Sequence, residues 1–267
     1  MSTNSFAQSA KPTFVFIHGA WYGAFAWYKI TPLLEAKGYK VIAFDLPGYG
    51  GDQRPPNTIT LNDYVQKVVE VVKPLKEKVI LVGHSMGGAV ITQASEVLGP
   101  EKVEKLVFLD AFLLKNGESI FAQVEKMNQA VKEASTSTIE KPASDYLVFS
   151  EDGKSCRVAL DRVLEVFCHD CPPEDQALVM AHPTWQPVSA LATPVQVSDS
   201  RYGVIPKFFI QCIKAKDLDR TSILQNVPLQ KVYTLPSSHS PFFSMPGELV
   251  AVLDEIYKFS PIVVSKQ

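Results

Sequence analysis

Short, nearly continuous apolar runs alternate along this chain with stretches whose apolar positions recur every three or four residues. The runs "FVFIH" (14–18), "KVIAFD" (40–45), "VILV" (79–82) and "KLVFLDA" (105–111) are too brief for helices. Runs of this kind predict strands buried on both faces. Between them, apolar residues at 61, 64, 65, 68, 69 and 72 predict a helix, and Thr60 with Asp63 has the spacing of a capping box at its start. "AWYKITPLLEAKG" predicts another helix, with Pro32 in its first turn and Gly38 closing it. A third runs through Leu98 and stops at Gly99-Pro100. The rhythm resumes with "KFFIQC" (207–212), "KVYTL" (231–235) and a closing helix from Pro246 to about Phe259. Strand and helix in alternation predict an α/β fold, a mostly parallel sheet flanked by helices.

The segment from about 115 to 200 breaks this rhythm. It holds a polar helical stretch, a hairpin expected in "YLVFSEDGKSCRVAL" with its turn at Asp152-Gly153, and short helices near 161–168 and 174–181. An insertion placed after a sheet strand predicts a cap over the strands' C-terminal ends. The expected organisation is one domain over 1–267 carrying that cap.

Composition narrows the function. Lys and Arg total 26 against 28 for Asp and Glu, a net charge of −2, and no basic run stands out, so no nucleic-acid partner is expected. Nothing approaches the ~18 uninterrupted apolar residues of a membrane span. The N-terminal "MSTNSFAQSAKP" lacks the apolar core of a signal peptide and reads as a polar tail. Four scattered cysteines do not suggest a disulfide scaffold, and a cytoplasmic location is the expectation. "CHDC" (168–171) lacks a second ligand pair for zinc and is followed by Pro172-Pro173, which does not suit a redox helix; it reads as cap structure.

One stretch carries chemistry. In "KVILVGHSMGGAVI" (78–91), a buried strand runs into Gly83-His84-Ser85-Met86-Gly87 and then a helix. That is G-x-S-x-G at a strand-to-helix turn, where close backbone contacts exclude side chains on either side of a raised serine. Ser85 is the expected nucleophile. A serine needs a base, and the base an orienting acid, in chain order Ser, acid, His. Of five histidines, only His239 follows the last strand, and it is taken as the base. The acid is sought after "KFFIQC", where Asp217 and Asp219 stand; Asp110, directly after "LVFL", is a third candidate. Asp217 is taken.

These residues resemble the α/β-hydrolase superfamily, and within it the branch of plant methyl esterases, polyneuridine aldehyde esterase and hydroxynitrile lyases with their bacterial esterase relatives. The resemblance rests on "FIHGAWYGAFAWYKITPLLEAKGYKVIAFDLPGYGGD", "VILVGHSMGG" and the terminal His loop, and spans about Phe14 to Phe259. It implies backbone N–H donors for an oxyanion at Ala20 and Met86. It also places a Gln eight residues after the acid, an interval Asp217 keeps with Gln225. The implied function is a serine carboxylesterase acting on small apolar or aromatic esters, methyl esters among them, through an acyl-enzyme, with no metal and no organic cofactor. The alternatives are a hydroxynitrile lyase and a non-catalytic small-molecule receptor. The best-known lyases place Lys directly after the His and Thr directly after the first strand's His, where this chain has Ser240 and Gly19. A homodimer is left open.

Overall fold

The computed structural model describes residues 12–134 and 143–259; the N-terminal stretch through residue 11, expected to be a tail, lies outside them. The chain enters with β1 (Thr13–Ile17), buried along its whole length. The single helix expected next is divided into a 3-10 turn at Ala24–Trp27 and α1 (Ile30–Ala36). Pro32 sits in the first turn of α1, where its missing N–H has no partner to lose. Gly38 then reverses the chain at a φ of 81°. β2 (Val41–Ala43) and α2 (Leu61–Val72) follow, and the Thr60–Asp63 capping box forms with both of its hydrogen bonds. β3 (Val79–His84) runs into α3 (Gly87–Leu98), and β4 (Val103–Leu109) completes the first half.

Between β4 and the next sheet strand lies the cap. It contains α4 (Ile120–Ala134), β5 (Leu147–Phe149), β6 (Ser155–Val158), α5 (Val163–Phe167), α6 (Pro173–Met180), β7 (Gln186–Pro187) and α7 (Val188–Ala192). The three short strands form an antiparallel sheet in the order β5-β6-β7, with Gly153 at φ 65° in the hairpin turn. The chain returns through β8 (Lys207–Cys212), β9 (Lys231–Leu235), α8 (Pro241–Ser244) and α9 (Pro246–Lys258). No helix among the described residues is long and apolar enough to cross a membrane.

The main sheet has the order β2-β1-β3-β4-β8-β9, and every neighbouring pair is parallel. Successive side chains of its inner strands β1, β3, β4 and β8 enter opposite cores. Val15, Ile17 and Leu81 pack with Tyr64 and Val68 of α2 and Val90 of α3. Phe14, Phe16, Ile80 and Val82 pack with Leu34 of α1 and Leu249 and Leu253 of α9. Two apolar environments explain why the strands read as unbroken apolar runs rather than alternating ones.

The order also positions a site. From β1 the chain moves outward to β2, then crosses back to β3 on the other side of β1. A crevice opens where the strand order reverses, at the C-terminal ends of β1 and β3. Ile17 pairs with Gly83, so the turns that follow the two strands emerge side by side.

Candidate active site

Ser85 occupies the turn after β3 with a φ of 52°, a left-handed conformation that costs a non-glycine residue roughly 1–3 kcal/mol. Its backbone is clamped on both sides. The Ser85 N–H donates to Leu109 O at 3.2 Å, and its carbonyl accepts from Gly88 at 3.0 Å and Phe112 at 3.1 Å. A Cβ on Gly83 would stand 2.5 Å from Gly87 O, one on Gly87 2.6 Å from Ile17 O, and one on Gly88 2.2 Å from Phe112 O. All three obstacles are backbone atoms that cannot rotate away. The crowding of glycines around one serine is therefore a packing requirement. Within residues 79–92 only Ser85 is half-exposed, so the turn lifts one hydroxyl out of a buried surround.

The turn after β1 faces it. A Cβ on Gly19 would lie 2.8 Å from Ser85 Cβ and 2.7 Å from His84 Nδ1, so only glycine permits this approach. His18 Nε2 accepts the Leu46 N–H at 3.0 Å, which leaves the proton on Nδ1 to donate to Gly19 O at 2.8 Å. In a trans peptide the next N–H points opposite to that carbonyl, so His18 turns the Ala20 N–H away from itself. The following N–H, of Trp21, is taken by Tyr49 Oη at 3.2 Å. The Ala20 and Met86 N–H groups donate to no described residue, although Ala20 and Met86 are buried. Two free, buried donors flanking a raised serine form a ready oxyanion site. Burial lowers His18 to about 4, so it stays neutral in this role at ordinary pH.

His239 lies between β9 and α8, almost wholly buried. His84 Nε2 donates to its carbonyl at 2.9 Å, and the two rings lie 4.4 Å apart, which ties the His239 loop to the residue beside Ser85. Burial, and then the neighbouring His239, hold His84 well below the usual histidine range and keep it neutral. His239 Nδ1 donates to Asp110 Oδ2 at 2.6 Å. Its other nitrogen is thereby left with a lone pair, the tautomer a general base requires.

The hydrogen bond from His239 goes to a different carboxylate from the one taken from the sequence. Asp217 reaches the same cluster, but its Oδ2 stands 3.6 Å from His239 Nδ1, beyond hydrogen-bonding distance. Asp110, the third candidate, takes the hydrogen bond. It directly follows β4 at a φ of 43°, donates its N–H to Ile210 O at 2.7 Å and accepts from the Cys212 N–H at 3.1 Å. Asp219 is not in the cluster; its side chain accepts from the Thr221 N–H.

Arg220, which sequence reasoning did not single out, closes the group. It is 2% exposed and bridges the two carboxylates: Nη1 lies 3.1 Å from Asp110 Oδ2, and Nη2 donates to Asp217 Oδ2 at 2.6 Å. Burial, the largest single influence, would raise the Asp217 carboxyl, but the charges of Arg220 and His239 and the hydrogen bonds from Arg220 and the Leu218 N–H together hold Asp217 below the usual carboxylate range. Asp110, Asp217 and His239 converge closely enough to ligate a cation, yet the guanidinium already binds both carboxylates there. The donor set does not fit a metal ion.

A cavity of about 590 Å³, counted to its open mouth, lies over Ser85. The sheet side contributes Ala20, Trp21, Met86, Phe112 and Leu218; the cap contributes Ile120, Phe121, Val124, Leu147, Phe167 and Leu191. Asp217 is the one ionisable side chain among its lining residues. The "CHDC" stretch forms a disulfide between Cys168 and Cys171, with Cα atoms 5.1 Å apart. A cysteine count could not reveal this bond, because it depends on a tight turn that only the packed cap defines.

A family model described as "Alpha/beta hydrolase family" matches residues 14–252. The chain is 33% identical over 257 residues to "Putative methylesterase 11, chloroplastic" of Arabidopsis thaliana, an alignment covering 93% of this chain and 64% of that protein. It therefore spans under two thirds of that relative's length. It is 28% identical to "Methyl jasmonate esterase 1" of Vitis vinifera, with 91% of this chain and 95% of that one covered. The solved structure of polyneuridine aldehyde esterase superimposes with a TM-score of 0.80 at 28% identity, over 92% of this chain and 99% of the other.

Proposed function

Because the chain belongs to the alpha/beta hydrolase family, in its methylesterase-like branch, we propose that it is a serine carboxylesterase for small, neutral esters with an apolar or aromatic acyl group. The observation that carries this reading is the half-exposed Ser85 against an apolar cavity, flanked by two unengaged backbone donors, with His239 held in the basic tautomer and tied through its carbonyl to His84, the residue before the serine. Ser85 Oγ attacks the ester carbonyl while His239 takes its proton. The carbonyl oxygen becomes an oxyanion bound by the N–H groups of Ala20 and Met86. His239 returns the proton to the departing alkoxide, the C–O bond breaks, and the acyl group remains on Ser85. Water, deprotonated by His239, then releases the acid and restores the serine. Asp110 orients the imidazole and stabilises its charged form. A methyl ester is the alcohol side we favour, by likeness to the methylesterases.

The lyase reading draws less support. Gly19 supplies no hydroxyl to hold a cyanohydrin, and a Cβ there would crowd Ser85 Cβ at 2.8 Å. Ser240 Oγ is engaged by Tyr22 Oη at 2.6 Å and brings no positive charge for a cyanide leaving group. Ser85→Ala is expected to lower hydrolysis of methyl and p-nitrophenyl esters by about 10³-fold or more while the unfolding midpoint stays put. Retained hydrolysis would sink the proposal, as would fast cyanide release from mandelonitrile with negligible ester turnover. A receptor of the same fold would bind the acid and show neither.

A further inference from the structure

Two carboxylates share the buried space beside His239, and a single histidine needs only one. We propose that Asp217 and Arg220 act as a charge-balancing pair that leaves Asp110 as the one uncompensated negative charge facing His239. The inference rests on the triad reading above and assigns Asp217 a positioning role rather than the orienting one.

The geometry carries it. Arg220 offers both ends of its fork to Asp217, at 3.0 Å from Nη1 to Oδ1 and 2.6 Å from Nη2 to Oδ2. The same Nη1 stands 3.1 Å from Asp110 Oδ2, the oxygen that accepts the His239 proton donor. All four residues are at most 2% exposed, so little water screens their charges. Two carboxylates this close in a buried site cannot both stay ionised without a cation between them. Two negative charges and one positive leave a single net negative charge in the resting state. When His239 takes the Ser85 proton, the group becomes neutral overall. Asp217 without Arg220 would over-stabilise the imidazolium and keep the base protonated; Arg220 without Asp217 would oppose its formation.

Other groups around His239 do not upset this balance. His84, from the turn after β3, is held neutral by its burial. Burial pushes the Cys212 thiol on β8 and the Tyr22 phenol near Ser240 upward, so both stay neutral. Asp170 of the cap accepts the Ser238 N–H at 2.7 Å through Oδ2, leaves Oδ1 buried without a partner among the described residues, and is the same in every variant compared below.

The test is a charge cycle read through pH. Asp217→Asn is expected to move the acidic limb of the kcat/KM profile to lower pH, and Arg220→Gln to move it to higher pH, each by about one unit or more. The double variant Asp217→Asn/Arg220→Gln restores one net negative charge, so its limb should return to the wild-type position and its kcat should exceed that of either single variant. Arg220→Lys keeps the charge without the fork, so it should hold the limb in place while lowering kcat. Asp110→Asn is expected to lose kcat by on the order of 10³–10⁴-fold, with no recovery from a second change at 217 or 220. NMR titration of the His239 ring in Ser85→Ala protein reads the same shifts without turnover, so a failure of the esterase reading is separable from a failure of this one. If Arg220→Gln does not fold, Asp217→Asn and the double variant decide alone, since neither leaves an unpaired buried carboxylate. Shifts in one direction, an unmoved Asp217→Asn limb, or a double variant no better than the worse single would each overturn the proposal.

Discussion

At His18, burial and two hydrogen bonds fix tautomer and charge together, and the consequence reaches the Ala20 N–H through one peptide plane. Its nitrogens are committed, one accepting from Leu46 and one donating to Gly19. Protonation would destroy the first bond, and burial accordingly lowers the folded group to about 4 from an unfolded value of 6.5. Between those values the unfolded chain binds a proton that the folded one refuses, so stability is full above about 6.5 and is lost as pH falls towards 4. For a fully buried group that loss amounts to roughly 3 kcal/mol, and His84, lowered in the same direction, adds to it. Urea unfolding at pH 7 and pH 4.5, with the His18 ring followed by NMR, checks this; a folded-state ring that titrates near 6 contradicts it. His18 was legible only as the end of a strand, because its partner Leu46 lies 28 residues away. The acid was ambiguous for a related reason. Asp110 and Asp217 follow adjacent parallel strands, β4 and β8, and nothing in the order of residues says which carboxylate meets the imidazole.

Whole elements were easier to read, and the cap shows where reading by element stops. The strands of the main sheet and helices α2, α3 and α9 announced themselves because two-sided burial and helical spacing leave long patterns. α8, four residues long, is too short to show a period. The Cys168–Cys171 turn has no pattern at all, yet it straps the cap to the loop that carries His239. Asp170 within it accepts from Ser238 N, Ser238 Oγ donates to the Phe167 carbonyl at 3.2 Å, and the Phe167 ring lies 5.5 Å from that of His239. Replacing both cysteines with serine is expected to cost about 2 kcal/mol, the loop-closure value for so short a ring, and to lower kcat more than it changes KM. A melting curve and steady-state kinetics on one preparation settle the matter, and an unchanged melting temperature would count against the strap. Thr60→Ala supplies the contrast. It removes the α2 capping box for about 1 kcal/mol at a residue that does not line the cavity, and should leave kcat alone.

At the scale of the molecule, sheet and cap divide the labour of one cavity. In the proposed reaction, the sheet turns bring the attacking hydroxyl and the oxyanion donors, and the cap supplies the apolar walls that would exclude water and choose the acyl group. Nearly all of that wall is hydrocarbon or aromatic ring, and its one ionisable member, Asp217, is already paired with Arg220. An acyl group carrying its own carboxylate would therefore be buried without a partner, at a cost of several kcal/mol. Methyl benzoate should accordingly exceed the monomethyl ester of terephthalic acid in kcat/KM by at least about 10²-fold at pH 7. The two acyl groups have the same ring, so size near the scissile bond is not the variable. The dimethyl ester of the same diacid separates length from charge: it should recover most of the lost rate, because its far end is neutral. Equal rates for the monomethyl and dimethyl esters would mean that the far end stays in water, and that the cap leaves the acyl group only partly enclosed.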